Sequence, residues 1–427
     1  MKEYLVSIER NGEMIPVGVL CGESHHDAQF RYAISYLSNA EARAISIRLP
    51  LQEAAFPAEQ TRNYFEGLLP EGFTRRFVAQ WMHLDENDYL SILYGLGREC
   101  LGALQITAES EELETAYEPI SNEQVRSLAA EGATKSTELV MKSHLSLTGA
   151  SGKVGLYYDA AHNAWYLPRG TAPSTHIVKQ SHVRLNEIVT NEQLCLLTAA
   201  RCGLEVPQSF IINTGAGAES DVLFATRRYD RVFPECPRMI SGLPSPLRLH
   251  QEDFAQALGI PSSSKYEAEE DHHMADMFEI LRAHSADPIR DQLKLWDLIV
   301  FNCLIGNTDA HVKNYSLLYD ESLRSVRLAP AYDIVSTTVY EMSTQKLAFR
   351  IGSAVTIDEI SEAAFRAAAK EIGLGEKLAM RHVSELAERF LPALQASAEE
   401  LADTGSPKAM ELMEKILRSN HRMKKGI

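Results

Sequence analysis

Long apolar runs are missing from this chain. No stretch of 18 or more apolar residues occurs, so no transmembrane helix is expected. The amino-terminal run Met1–Arg10 alternates like a strand and lacks the apolar core and small-residue cleavage site of a secretion signal. Cysteine is scarce and unpatterned. Cys21, Cys100, Cys195, Cys202, Cys236 and Cys303 form no paired spacing, and most sit among apolar residues. That excludes a disulfide framework or a zinc site and points to a reduced, cytoplasmic protein. Basic residues are outnumbered, 42 against 58 acidic ones, for a formal charge of −16. Such a chain does not coat nucleic acid by itself, because neutralising phosphates takes clustered Lys and Arg. The basic end Arg418–Lys425 is either a local exception or a solubilising tail. The Gly-x4-Gly-Lys-Ser/Thr phosphate loop, the Gly-x-Ser-x-Gly elbow and the His-Glu-x-x-His zinc helix are all missing, which removes the commonest nucleotide-hydrolase, esterase and metalloprotease readings.

What is present is a chain of 427 residues, 45% hydrophobic, enough for two or three domains. Asn11-Gly12 reads as a hairpin turn between strands within 3–21. Residues 59–81 read as helical, with an interruption at Pro70-Glu71-Gly72, and Leu101–Thr107 as a strand. The acidic stretch Glu109–Glu118 reads as a solvated loop, which puts a boundary between 110 and 145. Strands and turns follow. Val154–Tyr158 and Ala164–Leu167 flank a turn, and His176–Gln180 and Val222–Thr226 are short strands. One helix, capped by Thr190 or Asn191, closes near Gly203. Beyond about 250 the pattern is helical, over 252–258, 291–305, 358–372, 376–391 and 407–419. The pairs His25-His26 and His272-His273 have no partners at ligand spacing and read as surface pairs.

The chemistry concentrates at Asn307–Asn314 and Ala331–Ile334. Asp309 and Asn314 sit five apart, with Asp333 a strand-turn away, which is a layout for phosphoryl transfer. Asp309 would orient and deprotonate an attacking hydroxyl, while Asn314 and Asp333 would hold Mg²⁺, a hard ion that takes oxygen ligands. The same letters are also ordinary turn vocabulary. Gly149-Ala150-Ser151-Gly152-Lys153 is a small-residue loop that can approach phosphates, or a plain hairpin turn. Lys179 ends a strand, where it reaches phosphates or merely guards an edge. Glu192 either pairs with it or is a favourable acid at a helix start, the second being preferred. Arg227-Arg228-Tyr229-Asp230-Arg231 is a hinge between lobes or a charged surface turn. His311 is structural or donates to a phosphate oxygen.

Taken in order, these phrases resemble the HipA family of serine/threonine kinases, the toxin halves of toxin–antitoxin pairs. The carriers are Asn63–Pro70, Gly97-Arg98, Ser146–Lys153, Thr175–Lys179, Arg228–Arg231, Gln251–Asp253, Gly259–Ser263, Gly306–Asn314 and Tyr332–Ile334. The resemblance implies an α+β, two-lobed, protein-kinase-like fold. It adds an N-terminal β-rich subdomain over 1–140, a β-rich lobe with the nucleotide loop over 141–248, and an all-helical C-terminal lobe over 249–427. It implies ATP and Mg²⁺ as cofactors, Asp309 as acid/base, and Asn314 and Asp333 as metal ligands. Lys179 would contact phosphates, the Thr148–Lys153 loop would cover the nucleotide, and Arg227, Arg228 and Tyr229 would hold adenine. His311, Lys313 and Tyr332 complete the expected nucleotide site. Ser146 matches the family's autophosphorylated serine, whose phosphate would repel the bound triphosphate. The loop glutamate usual before Lys153 is Gly152 here. The expected partners are a small helix-turn-helix antitoxin of the HipB type, DNA mainly through it, and a protein of translation such as an aminoacyl-tRNA synthetase, with no membrane. The alternatives are a kinase-shaped co-repressor that transfers no phosphate and an ATP-dependent enzyme acting on a small molecule.

Overall fold

The Asn11-Gly12 turn forms where expected, with φ of 51° and 81°, the left-handed pair that a tight hairpin requires. The structure is a computed structural model that describes residues 2–107, 114–143, 152–181, 185–215 and 218–419. The hairpin joins β1 (Lys2–Arg10) to β2 (Glu13–Gly22); β3 (Gln29–Tyr32) and β4 (Leu104–Thr107) complete an antiparallel sheet in the order β3-β2-β1-β4. Tyr4, Val6 and Ile8 enter the core from one face of β1. The other face is covered too: Glu9 is buried against Arg248, whose backbone N–H and Nη1 reach it at 2.9 and 2.7 Å. Between β3 and β4 lie helices Ala58–Phe65 and Gly72–Trp81; the break between them includes Pro70 and Glu71, as expected, but it begins at Glu66 and Gly72 already opens the second helix.

The second sheet runs β5-β7-β6-β8-β10-β9, built from β5 (Ala116–Ile120), β6 (Lys153–Asp159), β7 (Ala164–Arg169), β8 (His176–Gln180), β9 (Ser209–Asn213) and β10 (Val222–Arg227). Its first edge strand comes from residues expected as loop, ahead of the expected boundary at 141. The reason is tertiary: Tyr117 packs against Tyr157, 4.2 Å between ring centroids and tilted by 40°, and its Oη donates to the Pro173 carbonyl at 2.9 Å. Helix Ile188–Arg201 starts earlier than the Thr190 or Asn191 cap expected, from Glu187 at φ 60°. Those two residues are buried inside it, Asn191 against Ser336 of the second lobe.

The second lobe is built round helix Pro288–Ile305, with Asp287 capping its N-terminus and Gly306, at φ 77°, ending it. Helices Glu362–Glu371, Glu376–Asp403 and Lys408–Ser419 confirm the helical reading. The lobe is not all-helical. Gln251–Asp253, Ser316–Tyr319 and Val326–Leu328 form a small sheet, and Lys346–Ile351 pairs with Ala354–Thr356. Strands of three to six residues are too short to show an alternation that competes with the helical pattern. Helix His273–His284 was not legible either, and its first residue, His273, is buried, so the second histidine pair is not a surface pair. Four of the six cysteines are buried and none is bonded to another. Among the described residues, no helix is long and apolar enough to cross a membrane.

Glu252, in the lobe's small sheet, reaches back into the first domain. Its carboxyl accepts from Ser46 Oγ at 2.6 Å, from Ile47 N–H at 3.1 Å and from the Tyr319 hydroxyl. Burial pushes its pKa up to about 7. The folded protein therefore holds a proton that an unfolded glutamate, at about 4.3, has already released. Stability from this group is full below about pH 4 and is lost as pH rises through about 7. Glu252→Gln, which mimics the protonated form, is expected to flatten the fall in melting temperature between pH 5 and 8 and to melt higher than wild type at pH 8. Parallel melting curves of the two proteins would refute this.

Candidate active site

The loop after helix Pro288–Ile305 is shaped by its own polar side chains. Asn307 Nδ2 donates to Asn302 Oδ1 at 2.9 Å, and Asn307 Oδ1 accepts the Asp309 N–H at 3.1 Å. Thr308 N–H donates to Thr337 Oγ1 at 2.8 Å. With its neighbours fixed this way, Asp309 is presented to solvent. Asn314 Nδ2 closes the loop on the Asp309 carbonyl at 2.9 Å, which leaves its amide oxygen as the group available to a ligand. The sequence-read loop is thus a structured presentation of Asp309 and Asn314, and more than a turn.

Lys179 joins the lobes. Its Nζ lies 2.6 Å from Glu192 Oε1 and 2.6 Å from Asp333 Oδ1. The preferred reading of Glu192 as a mere helix-start acid is therefore wrong; its true partner sits on a strand, out of reach of a local argument. Burial alone would lower the Lys179 pKa, but Asp333 and Glu192 together raise it above its ordinary value. Burial works against the Asp333 carboxylate as well, yet Lys179 and Lys153 hold it well below the usual carboxylate range. Lys153 stands opposite Lys179 in the β6–β8 register. Like charges paired across strands repel, so this arrangement suits a site that receives anions. Burial brings Lys153 down to about 8, with Asp333 opposing the fall.

Asp333 sits at φ 57°, an uncommon conformation for a residue with a side chain. Asn191, on helix Ile188–Arg201, fastens the segment that follows: its Nδ2 donates to the Ser336 carbonyl at 2.9 Å and its Oδ1 accepts the Ser336 N–H at 3.0 Å. The sequence marks Asn191 only as a candidate helix cap, because its true partner is 145 residues away.

The hinge reading needs one correction. Arg228 is not on a charged surface turn, and its side chain does not line the cleft. It is fully buried, with Nη1 3.1 Å from Glu99 Oε1 and Nη2 2.8 Å from Asp230 Oδ2. Arg231 Nη2 adds 2.7 Å to Glu99, and the Gly102 N–H and Gln251 Nε2 donate to Asp230 at 2.8 and 3.0 Å. Between these inward-facing residues, Tyr229 turns the other way and stacks on Tyr332, 5.7 Å between centroids. Arg227 is exposed. Lys313, expected among the nucleotide contacts, is buried and paired with Asp253 at 2.7 Å. His311 is buried, its pKa pushed down to about 3 by burial and then by Lys265, so the ring is neutral. Among the described residues its Nδ1 is buried without a hydrogen-bond partner, which fits a place where a ligand oxygen belongs.

Ser146, Thr148, Gly149, Ala150 and Ser151 lie outside the described residues. Gly152 begins the described part of that segment; a Cβ there would come within 1.8 Å of Gln180 Nε2, so a side chain at this position has no room while Gln180 keeps its place. Among the described residues, no group of three or more His, Cys, Asp or Glu is arranged to hold a metal ion. Asn314 and the ionised Asp333 fit Mg²⁺ nonetheless, since that ion takes few protein oxygens and completes its shell with phosphate and water.

A strand-rich lobe joined to a helical one, with a lysine bridging helix and loop carboxylates at the seam, makes the fold protein-kinase-like. Residues 12–107 match the HipA N-terminal domain and residues 145–394 the HipA-like C-terminal domain, and the chain belongs to the HipA family. A putative kinase of Sinorhizobium fredii is 33% identical over 400 residues, spanning 91% of this chain and 90% of its own. The serine/threonine-protein kinase toxin HipA of Shewanella oneidensis is 26% identical over 385 residues, or 84% of this chain and 85% of that protein. A chain in the solved complex of Shewanella oneidensis MR-1 HipA, HipB and operator DNA has the same fold. The TM-score is 0.81 at 23% identity, over 99% of this chain and 98% of that one.

Proposed function

We propose that this protein is an ATP- and Mg²⁺-dependent serine/threonine protein kinase of the HipA toxin type. The observation that carries the reading is Lys179, held between Glu192 and Asp333 at 2.6 Å each, together with a loop that presents Asp309. Lys179 and Lys153 would neutralise phosphate oxygens, and the neutral His311 would meet one through Nδ1. Tyr229, Tyr332 and the backbone at Arg227–Tyr229 would receive adenine, with the Thr148–Lys153 loop over the phosphates. Asn314 and Asp333 would hold Mg²⁺, which when bound neutralises charge building on the phosphates. Asp309 would accept the proton of a substrate hydroxyl and orient it for in-line attack. Asp333 stays ionised beside the two lysines, so the catalysis is positioning plus fixed charge.

The remaining parts of the proposal rest on likeness to relatives. They are autophosphorylation at Ser146, a HipB-like helix-turn-helix antitoxin as partner, and DNA contact and operon control through that antitoxin. They extend to a translation protein of the aminoacyl-tRNA synthetase type as substrate and to work in the cytoplasm. The test is incubation with Mg²⁺ and γ-labelled ATP, then mass spectrometry for phosphoserine, alongside Asp309→Asn. The expected result is phosphate in the wild type, at Ser146 among other sites, and none above background in the mutant. Wild type that binds Mg-ATP but never transfers phosphate, with no phosphate already present in its intact mass, would leave a co-repressor instead.

A further inference from the structure

Tyr266 follows the short turn Ser262–Ser264, ahead of helix His273–His284. Its ring is 48% exposed, yet its hydroxyl is engaged: Oη donates to Asp309 Oδ1 at 2.5 Å. Among the described residues, Oδ2 of Asp309 accepts no hydrogen bond. The ring is braced from two sides. It meets His311 edge-on, 5.2 Å between centroids at 85°, and Lys265 Nζ lies 5.5 Å from its centroid. Lys265 in turn pairs with Glu71 Oε2 at 2.7 Å, and Glu71 Oε1 lies 3.7 Å from Lys313 Nζ. Glu71 opens helix Gly72–Trp81 of the N-terminal domain.

An exposed aspartate on a fixed backbone still rotates about χ1 and χ2. A proton acceptor that wanders by an ångström costs rate. One hydrogen bond from a braced ring removes that freedom, and it uses only one of the two carboxylate oxygens. We propose that Tyr266 is a positioning residue for Asp309: its hydroxyl holds Oδ1 so that Oδ2 alone meets the acceptor hydroxyl, and Lys265 and Glu71 extend the brace into the N-terminal domain. The inference rests on the kinase reading above.

The experiment uses the full chain as wild type, Tyr266→Phe and Asp309→Asn. Label incorporation from Mg-[γ-³²P]ATP gives kcat and the KM for ATP, and melting temperature is recorded for each. Tyr266→Phe keeps the ring and its contacts with Lys265 and His311 and removes only the O–H. It is expected to transfer phosphate about 10- to 100-fold more slowly, with the KM for ATP and the melting temperature unchanged. A variant as fast as wild type, or faster, would overturn the inference; a gain would mean that Tyr266 blocks the acceptor's place. A drop that came with a raised KM and a lower melting temperature would also overturn it, as general loosening. If wild type shows no transfer that depends on Asp309, the kinase reading fails and this inference with it, a result that the other outcomes cannot imitate.

Discussion

Asp333→Asn is expected to lose about 10³-fold or more in phosphate transfer while keeping its fold. The carboxylate does two jobs that an amide cannot. It is the charged member of the proposed metal pair, and it is one of two anions that hold Lys179 in place at 2.6 Å. With the charge gone, Lys179 would lean on Glu192 alone, and Lys153 and Lys179 would face each other across β6 and β8 with one anion fewer. The fold should survive because about a third of the Asp333 side chain, 36%, remains exposed, so water replaces what the charge provided. Single-turnover transfer across a Mg²⁺ titration is the measurement. Activity within tenfold of wild type at any Mg²⁺ concentration would remove Asp333 from the metal site.

The second large effect concerns stability. Asp230→Ala should destabilise the protein by about 3–5 kcal/mol, because it leaves buried arginines short of a counter-charge. Arg228 would lose both bonds to Asp230, from Nε at 2.9 Å and from Nη2 at 2.8 Å, and would share Glu99 with Arg231. The Gly102 N–H and Gln251 Nε2 would lose their acceptor as well. Urea unfolding would measure this. A loss below about 1 kcal/mol, the size of a surface pair, would mean that water enters the cluster.

The parts of the fold legible in the sequence were those with local causes. Asn11-Gly12 announced its hairpin, Pro70-Glu71-Gly72 its helix break, and the Ile-Val-Lys run its strand. Asp309, Asn314 and Asp333 stand out in the sequence as candidates because the proposed hard-metal and proton chemistry restricts the residue types that would serve. What stayed hidden depends on distance. Arg228-Tyr229-Asp230-Arg231 looks like solvent-facing polarity until Glu99, 129 residues from Arg228, closes the charges off from water. Tyr266 carries no motif, and its partner Asp309 lies 43 residues on. Lys313 sits inside the Asp309–Asn314 loop but answers to Asp253. Glu192 reads as a helix-start acid because its helix is local in the sequence and the strand that carries Lys179 is not.

Among the charged or hydrogen-bonded pairs through which the N-terminal domain meets the rest of the chain, four are Glu9 with Arg248, Ser46 with Glu252, Glu71 with Lys265, and Glu99 with Arg228. Each pair has one member before residue 100 and one after residue 220. A crossover between two relatives anywhere in the 120 residues between would part all four at once, leaving buried charge unmatched on both sides. As a heritable part, the domain is therefore not interchangeable: front and back of the chain can drift only in step, and a graft that moves one must carry the other's contact residues with it.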